Sequence, residues 1–329
     1  MNNRYEFMFF IEAKNCNPNG DPDMGNTPRI DPETMHGIIT DTAIKRRIRN
    51  YIEDVYNHEY GMDIIKREKS NMNKTIAELA FEANKGPVLK TTNKKVEEAS
   101  VLACKKYYDV RTFGDVLNTG VNAGQIRGPV QFAMAMSVDP ILPLDMSITR
   151  VCYTEGEFDS LEKYDELDEK MEDSKKRTMG RKQVIPYGLY VVRGSVSANL
   201  AEKTGFTEKD LNILFEAIMQ SYNNDISASK TGMSVLQPMF IFKHIGTNPS
   251  NVEQIVKETK LGCAPAYKLF ELISIKKKDN VEYPRDYKDY NVTVDLDNIP
   301  NGVQIGFKYG PFDDIIWDNL AKTENWINS

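Results

Sequence analysis

Apolar and polar positions follow one another along the chain in patterns that predict strands and helices from the N-terminus onward. Residues 4–13 are apolar on both alternating faces, which is typical of a strand in the middle of a sheet. After a polar loop, apolar residues recur at helical spacing and predict one buried helix face, made of Ile44, Ile48, Tyr51, Ile52 and Val55. Residues 205–224 predict a second helix, in which Thr207 and Asp210 have the spacing of a capping box.

The remaining patterns are mainly those of strands. Residues 130–137 alternate and predict a half-buried strand whose apolar side carries Val130, Phe132, Met134 and Met136. Strand-like segments at 146–155 and 181–200 flank an acidic run and could pair as a long hairpin or arm. Residues 234–246 predict a strand in which Pro238 marks an edge or a bulge. Further strands are predicted at 267–276, 291–296 and 303–310.

The order of these elements predicts an α+β fold. Strand, helix, insertion, strand, hairpin strands, helix and strand follow one another, as in a β-α-β-β-α-β ferredoxin-like core with insertions. Residues 58–108 are polar and rich in Lys and Glu, and they predict an inserted, mainly helical lobe with a helix at 74–85. The same order matches the RRM layout, in which one sheet face supports RNA. A fold alone does not determine function.

Composition places the chain among ordinary globular proteins. It has 329 residues, of which 40% are hydrophobic and 27% charged. No segment approaches the roughly 20 uninterrupted apolar residues of a membrane span, and the N-terminus lacks the apolar core of a signal peptide. We therefore predict a cytoplasmic protein with no membrane partner.

The net charge of −6 argues mildly against nucleic-acid binding when it is taken alone. Much of the acid lies in one run at 155–177, and the rest of the chain is closer to neutral, with distinct basic clusters. Binding depends on local rather than net charge. The clusters therefore keep nucleic acid open as a partner.

Candidate catalytic chemistry is sparse. The four cysteines form no CxxC pair, the three histidines share no ligand spacing, and neither a G-x-S-x-G nor a Walker A motif is present. We predict neither a metal nor another cofactor. The turn-rich loop at 15–37 carries Asp21, Asp23 and Asp31, which could hold a divalent metal for phosphodiester cleavage. Turn formation explains these aspartates more simply.

Three groups of residues are candidates for binding a nucleic acid. Lys45, Arg46 and Arg49 lie on one helix flank and form either a solvated face or a strip that contacts phosphates. Glycine-flanked segments carry a second group, in which Phe113 could stack on a base; it comprises Arg111, Phe113, Gln125, Arg127 and Gln131. The third group lies around the predicted hairpin and comprises Arg150, Arg181 and Lys182.

Four segments together carry a resemblance to a known family. They read NPNGDPDMGNTPRIDPETMHGIITDTAIKRRIRNY, YYDVRTFGDVL, GQIRGPVQFAMAMSVDPI and TMGRKQVIPYGLYVVRG, and they occur in this order between the N-terminus and about residue 245. They resemble the backbone subunit of type I CRISPR Cascade and are most similar to the type I-C variety. The resemblance implies a modified RRM palm at 1–57, 109–150 and 186–329, a helical finger insertion at 58–108 and a thumb β-hairpin at 151–185.

The family resemblance also implies a function. Copies of the subunit would stack along one guide RNA (crRNA), and the thumb of each copy would fold over the RNA held by the next. The guide would then pair with target DNA, and pairing rather than protein would read the sequence. Other Cascade subunits would be further partners, and this subunit would not be an enzyme.

Residue roles carry over from the family by position. Arg29, Lys45, Arg46 and Arg49 would contact phosphates. The palm groove would be lined by Arg111, Gln125, Arg127 and Gln131, and the thumb would carry Arg181 and Lys182. The alternative is a metal-dependent ribonuclease subunit using Asp21, Asp23 or Asp31, and a third possibility is a plain protein scaffold.

Overall fold

The structure is a computed structural model that describes residues 1–172 and 175–318. Its strands are β1 (Tyr5–Cys16), β2 (Gly20–Asp21), β3 (Thr27–Pro28), β4 (His36–Ile39), β5 (Gly114–Val116), β6 (Gln125–Arg127), β7 (Val130–Phe132), β8 (Ala135–Pro140), β9 (Leu144–Arg150), β10 (Thr178–Val196), β11 (Met233–His244), β12 (Ile273–Lys277), β13 (Tyr290–Val294), β14 (Val303–Lys308) and β15 (Ile316–Trp317). Its helices are α1 (Asp41–Tyr56), α2 (Met72–Asn84), α3 (Asn93–Lys106), α4 (Tyr108–Phe113), α5 (Leu161–Lys170), α6 (Ala198–Thr204), α7 (Glu208–Asn224), α8 (Val252–Leu261) and α9 (Ala266–Glu271).

Strand β1 lies in the middle of the main sheet because both of its faces are apolar. It pairs antiparallel with β10 on one side and β11 on the other. The strand order is β15-β14-β11-β1-β10-β8-β4, and β7 and β9 pair with other parts of β10. Phe7 and Phe9 enter one core, whereas Met8 and Phe10 enter another on the opposite face. The prediction of a central strand is confirmed.

Helices α1 and α7 cover one face of the sheet. Ile44, Ile48 and Ile52 of α1 are buried there, whereas Val55 at the end of the helix is exposed. The predicted capping box at the start of α7 is confirmed, because Thr207 and Asp210 each accept a hydrogen bond from the other's backbone N–H.

The C-terminal part of the chain covers part of the opposite face. The β12–β13 ribbon and α9 contribute to a core with Phe10, Phe240 and Tyr290. The strand predicted at 267–276 is wrong in its first half, where α9 forms instead. Leu269 and Leu272 enter this core three residues apart, which is the spacing of a helix face.

Strand β11 contains the bulge that Pro238 predicts. Both neighbours of β11 are occupied, by β1 and β14, so it is not an edge strand. The register with β1 shifts between Met8 and Phe10, which pair with Phe240 and Leu236. Two steps along β1 therefore oppose four along β11, and two extra residues of β11 lie around Pro238.

A second bulge, between β7 and β8, changes which side chains are exposed. Phe132 pairs with Gly194 and Met136 with Val191, so four steps along one strand oppose three on β10. One extra residue reverses the facing of every side chain after it. The predicted alternation therefore holds for Val130 and Phe132 but is wrong beyond them: Met134 and Met136 are 58% and 37% exposed.

Two further units project from the sheet. Helices α2, α3 and α4 share an apolar cluster of their own, as expected for the predicted helical insertion. Strand β9 pairs with the first part of β10, from Arg150 opposite Thr178 to Leu144 opposite Val184. We call this hairpin the arm, and it confirms the predicted pairing around the acidic run, within which α5 forms.

The predicted palm segment 186–329 extends past residue 318, where the described residues end. The predicted thumb, 151–185, includes residues 173 and 174, which also lie outside the described residues. Within the described part of the chain, no helix combines the length and apolar content needed to span a bilayer.

Candidate nucleic-acid interface

Part of one sheet face is left uncovered. The C-terminal ribbon packs over Tyr187 and Leu189 of β10 but leaves exposed a group of side chains near β7, the start of β8 and the adjoining part of β10. Met134, Met136 and Arg193 are exposed there, and the guanidinium of Arg193 lies 5.7 Å from the ring centroid of Phe270. We call these three residues the open sheet face. Flexible thioethers and a planar guanidinium can contact bases, riboses and phosphates without a sequence preference.

A strip of basic side chains adjoins this face at the edge strand β7. Lys45 Nζ on α1 lies 3.0 Å from Asp41 Oδ2 and 3.4 Å from the side-chain oxygen of Gln131 on β7. The Gln131 amide also donates to the backbone oxygens of Phe113 and Gly128. Gln131 therefore joins α1 to the sheet edge, and the predicted residues Lys45 and Gln131 do lie together.

The strip continues along α1 to a residue that the sequence pattern did not single out. Arg46 donates to the backbone oxygen of Lys66 at 3.1 Å and pairs with Glu68 at 2.9 Å. Lys66 Nζ lies 2.9 Å from Asp115 Oδ1. Lys66 follows a stretch without helical or strand periodicity, so its charge was the only available signal. We call Lys45, Arg46, Lys66 and Arg127 the basic strip.

The carboxylates beside the strip do not prevent it from binding an anion. Exposed ion pairs contribute about 0–1 kcal/mol in water. A phosphate can therefore take the place of the exposed Glu68 beside Arg46 at little cost. Charge-assisted hydrogen bonds to phosphate are also stronger than neutral ones.

Arg127 and Gln125 reach the surface from β6, which pairs with β5. Among the described residues, Arg127 has no carboxylate within ion-pair distance. The glycines nearby serve packing rather than contact with a sugar-phosphate chain. A Cβ on Gly128 would lie 2.2 Å from the carbonyl carbon of Phe113, and one on Gly114 would lie 2.4 Å from the nitrogen of Gly128.

Three of the predicted RNA contacts lie in the core instead. Arg49 is buried, and its Nε lies 2.8 Å from Asp109 Oδ2. Arg111 is buried as well, and its guanidinium lies 2.7 Å from Asp210 Oδ1. Each pair joins segments that are far apart in the sequence. These two arginines therefore hold elements together and leave no guanidinium free for a phosphate.

Phe113 is also buried, so a base cannot stack on it as predicted. Its ring lies 6.2 Å from that of Phe132, and the cationic groups of Lys45 and Arg49 lie 5.6 Å and 5.2 Å from its centroid. The buried Phe113 ring thus helps to position the ammonium group of Lys45 through a cation–π contact.

The arm carries the third predicted group far from the strip. Arg150 and Arg181 are exposed, with Arg181 3.5 Å from Asp145, and Lys182 donates to the backbone oxygen of Ala228 at 3.2 Å. Gln131 pairs with Ser195 on β10. Arg181 lies fourteen residues further along the same strand, which corresponds to roughly 45 Å. One copy therefore does not bring arm and strip together.

The turn-forming residues of loop 15–37 mainly satisfy one another. Arg29 NH1 lies 2.9 Å from Asp21 Oδ2, and Asp21 also accepts from the N–H of Asp23. The N–H of Glu33 and the hydroxyl of Thr34 bind Asp31 and lower the pKa of its carboxyl. The side chain of Lys230 donates to the oxygens of Asn17 and Pro18. The described residues contain no group of three metal-ligating side chains.

Comparison with known proteins identifies the family. A CRISPR-associated protein Cas7 from Haloferax volcanii is 29% identical over 250 residues, which are 70% of this chain and 67% of that protein. A structure of a "CRISPR RNA-guided surveillance complex, pre-nicking" shares 15% identity, with a TM-score of 0.43 over 73% of this chain and 78% of the other. Another, a "CRISPR RNA-guided surveillance complex", shares 14% identity, with a TM-score of 0.43 over 73% and 68%.

The match to a family model extends over most of the chain. Residues 3–295 match the model described as CRISPR-associated protein Cas7. This range includes the open sheet face, the basic strip and the arm. The chain therefore belongs to the Cas7 family of CRISPR-associated proteins.

Proposed function

We propose that this chain is the crRNA-binding backbone subunit of a type I-C CRISPR surveillance complex in the cytoplasm. The observation that carries the proposal is the open sheet face lying directly beside the basic strip, because together they offer cations and apolar surface to a single strand. Family membership supports the proposal. The similarity of four sequence segments to the type I-C subunit supports the subtype.

The fold supports the description of a modified RRM palm. Strands β11, β1, β10 and β8 lie side by side, with α1 and α7 on one face. In this proposal the palm comprises 1–57, 109–150 and 186–329, the fingers 58–108 and the thumb 151–185. Strand β9, at the end of the second palm segment, pairs with the part of β10 that belongs to the thumb. The C-terminal ribbon covers the centre of the face that supports RNA in an RRM, so the guide lies on the open part.

The proposed contacts are independent of base sequence. The phosphates of the RNA contact Lys45, Arg46, Lys66 and Arg127. Gln125, Gln131 and Arg29 lie along the border of the groove that holds the RNA. The bases then remain available to pair with target DNA, so pairing rather than protein reads the sequence. Other subunits of the complex would complete the assembly.

The arm serves a neighbouring copy in this proposal. The separation of roughly 45 Å between strip and arm exceeds the reach of any side chain. Arg150, Arg181 and Lys182 are therefore assigned to the guide held by the next copy, whose strip binds the same strand. Repetition of this contact would produce a filament.

RNA titrations at several salt concentrations test the proposal. Replacing Lys45, Arg46 and Arg127 together by alanine is expected to weaken binding of single-stranded RNA and to flatten the salt dependence. Each lost phosphate contact reduces the slope of log K against log salt by roughly 0.7, so the triple variant should lose about 2. The slope is measured by fluorescence anisotropy with a labelled RNA.

A second triple variant controls for the change in net charge. Lys74, Lys163 and Lys209 are exposed lysines in ion pairs away from the strip. Their replacement by alanine removes the same charge and is expected to leave the slope within error of the wild type. Equal slopes for both triple variants would remove the strip from the interface.

We further propose that the subunit does not cut RNA. The carboxylates of Asp21 and Asp31 are already engaged in the loop. Incubating the assembled complex with complementary RNA and Mg²⁺ is expected to leave the RNA intact, and Asp23→Ala should change nothing. Regularly spaced fragments that disappear in Asp23→Ala would establish a ribonuclease instead.

A further inference from the structure

A cavity of about 320 Å³ lies where the helical insertion meets α7. Three parts of the chain line it: the loop after α1, the end of α3 and the junction between α6 and α7. The lining includes Tyr60, Lys105, Arg111, Thr204, Thr207 and Asp210. Its volume lies at the lower end of the roughly 300–1,000 Å³ of small-molecule cavities. The cavity therefore has room for one small ligand.

One polar group in the lining has no partner. Thr204 is 6% exposed, and among the described residues its hydroxyl forms no hydrogen bond. It lies at the C-terminal end of α6, next to Gly205, whose left-handed conformation ends the helix. A buried hydroxyl without a partner costs free energy, because it has given up its hydrogen bonds to water. A ligand that accepts the Thr204 O–H would recover this loss.

The start of α7 offers two further donors. The capping box uses the backbone N–H groups of Thr207 and Asp210. The first N–H groups of a helix have no acceptor within it. Those of Glu208 and Lys209 form no other hydrogen bond in the part of the chain that the structure describes. The N-terminal end of a helix also favours an anion through its dipole.

The charged side chains around the cavity are compatible with an anion. The Asp210 carboxylate is already neutralised, because its Oδ1 lies 2.7 Å from the Arg111 guanidinium. Glu59 pairs with Lys209 at 3.3 Å on the rim. Lys105 is exposed, and no carboxylate of the described residues lies within ion-pair distance of it. Its ammonium group is therefore available to a ligand.

We infer that this cavity binds a mononucleotide, whose phosphate contacts Lys105, Thr204 and the start of α7 and whose base stacks on Tyr60. Tyr60 is 86% exposed and forms part of the lining, and an aromatic ring can stack on any base. A phosphate accepts several charge-assisted hydrogen bonds, as the donors here require. The inference does not depend on the proposed function, because the cavity shares no residue with the basic strip or the open sheet face.

Thermal unfolding of the full-length protein, with AMP as the probe, tests the site. A ligand that binds the folded protein raises its Tm as the ligand concentration rises, so AMP is expected to do so. Inorganic phosphate, which has no base to stack, should bind about fivefold or more weakly. Adenosine, which has no phosphate, should give no shift. No shift with AMP, or equal shifts with AMP and adenosine, would overturn the inference.

Lys105→Ala is expected to weaken AMP binding about tenfold, because a hydrogen bond between charged groups is lost. Lys106→Ala is the matched control, since it removes the same charge from the next residue. Lys106 Nζ lies 5.5 Å from the ring centroid of Tyr107, and Lys106 is not part of the cavity lining. This variant should bind AMP as the wild type does. Equal weakening in both variants, measured by isothermal titration calorimetry, would mean that net charge alone attracts AMP and would refute the site.

Thr204→Val separates a ligand contact from a structural role. The substitution keeps the branched shape and removes the unpaired hydroxyl, so the Tm without ligand should not fall. AMP binding should nevertheless weaken about fivefold, because the phosphate loses a donor. A lower Tm together with unchanged AMP affinity would show that the hydroxyl serves the fold, and the inference would be wrong.

The strip variant, with Lys45, Arg46 and Arg127 replaced by alanine, tests where AMP binds. It should keep the wild-type response to AMP while its RNA binding weakens. If the AMP response disappeared in this variant, AMP would bind the strip. The cavity would then be rejected as its site, and the proposed function would stand.

Discussion

Replacing Arg49 by alanine is expected to lower the free energy of unfolding by about 3–5 kcal/mol. The guanidinium and the Asp109 carboxylate are both buried, and they lie 2.8 Å apart. Without Arg49, the Asp109 carboxylate keeps the hydrogen bond from the backbone N–H of Ile65, at 3.0 Å, while its charge stays in the interior. An uncompensated buried charge is costly because it has lost its hydration. Urea unfolding followed by circular dichroism measures the change.

Arg46→Ala is the matched control for this prediction. Arg46 lies on the same helix but pairs with Glu68 at the surface. Loss of an exposed pair costs at most about 1 kcal/mol, so this variant should stay close to the wild type in stability and lose RNA affinity. If Arg49→Ala were as stable as the wild type and bound RNA less well, Arg49 would be a phosphate contact after all.

Gly128→Ala is expected to destabilise the protein by about 3 kcal/mol, at the upper end of the range for overpacked sites. The new Cβ would lie 2.2 Å from the carbonyl carbon of Phe113 and 2.3 Å from the nitrogen of Gly114. Both atoms belong to the backbone, so no side chain can rotate away. The shift needed to relieve the overlap moves β6 and with it Arg127. RNA binding should therefore weaken along with thermal stability.

Gly120→Ala controls for the loss of a glycine in the same segment. The nearest atom to a Cβ at Gly120 is 3.6 Å away, in the side chain of Asn73. This is ordinary van der Waals contact, and the variant should unfold within about 0.5 kcal/mol of the wild type. Equal stability of Gly128→Ala and the wild type would show that β5 and β6 can separate freely.

Much of the fold follows from local patterns in the sequence. Strand β1 is recognisable because both of its faces are apolar, and α7 because a capping box precedes its apolar stripe. The arm is recognisable because two strand-like segments flank an acidic run that cannot enter the core. These signals depend only on neighbouring residues, so a single sequence contains them.

The candidate site depended on information that no local pattern carries. The extra residue between Phe132 and Ala135 turns Met134 and Met136 outward, and only the pairing with β10 reveals it. Lys45 and Arg49 carry the same charge on one helix flank, but the Asp109 carboxylate forms its ion pair with Arg49. This carboxylate comes from a helix sixty positions away. Tertiary neighbours of this kind decide whether a cation faces solvent.

Strand β10 passes from the palm into the arm without a break. Val184 pairs with Leu144, and the next residue, Ile185, pairs with Cys16. The direction in which the arm leaves the palm is therefore governed by strand twist, with no hinge between the two ladders. If copies join through their arms, the continuous backbone of β10 sets the spacing between neighbouring copies. The pitch of such a fibre would then be determined by the structure of each protomer before assembly begins.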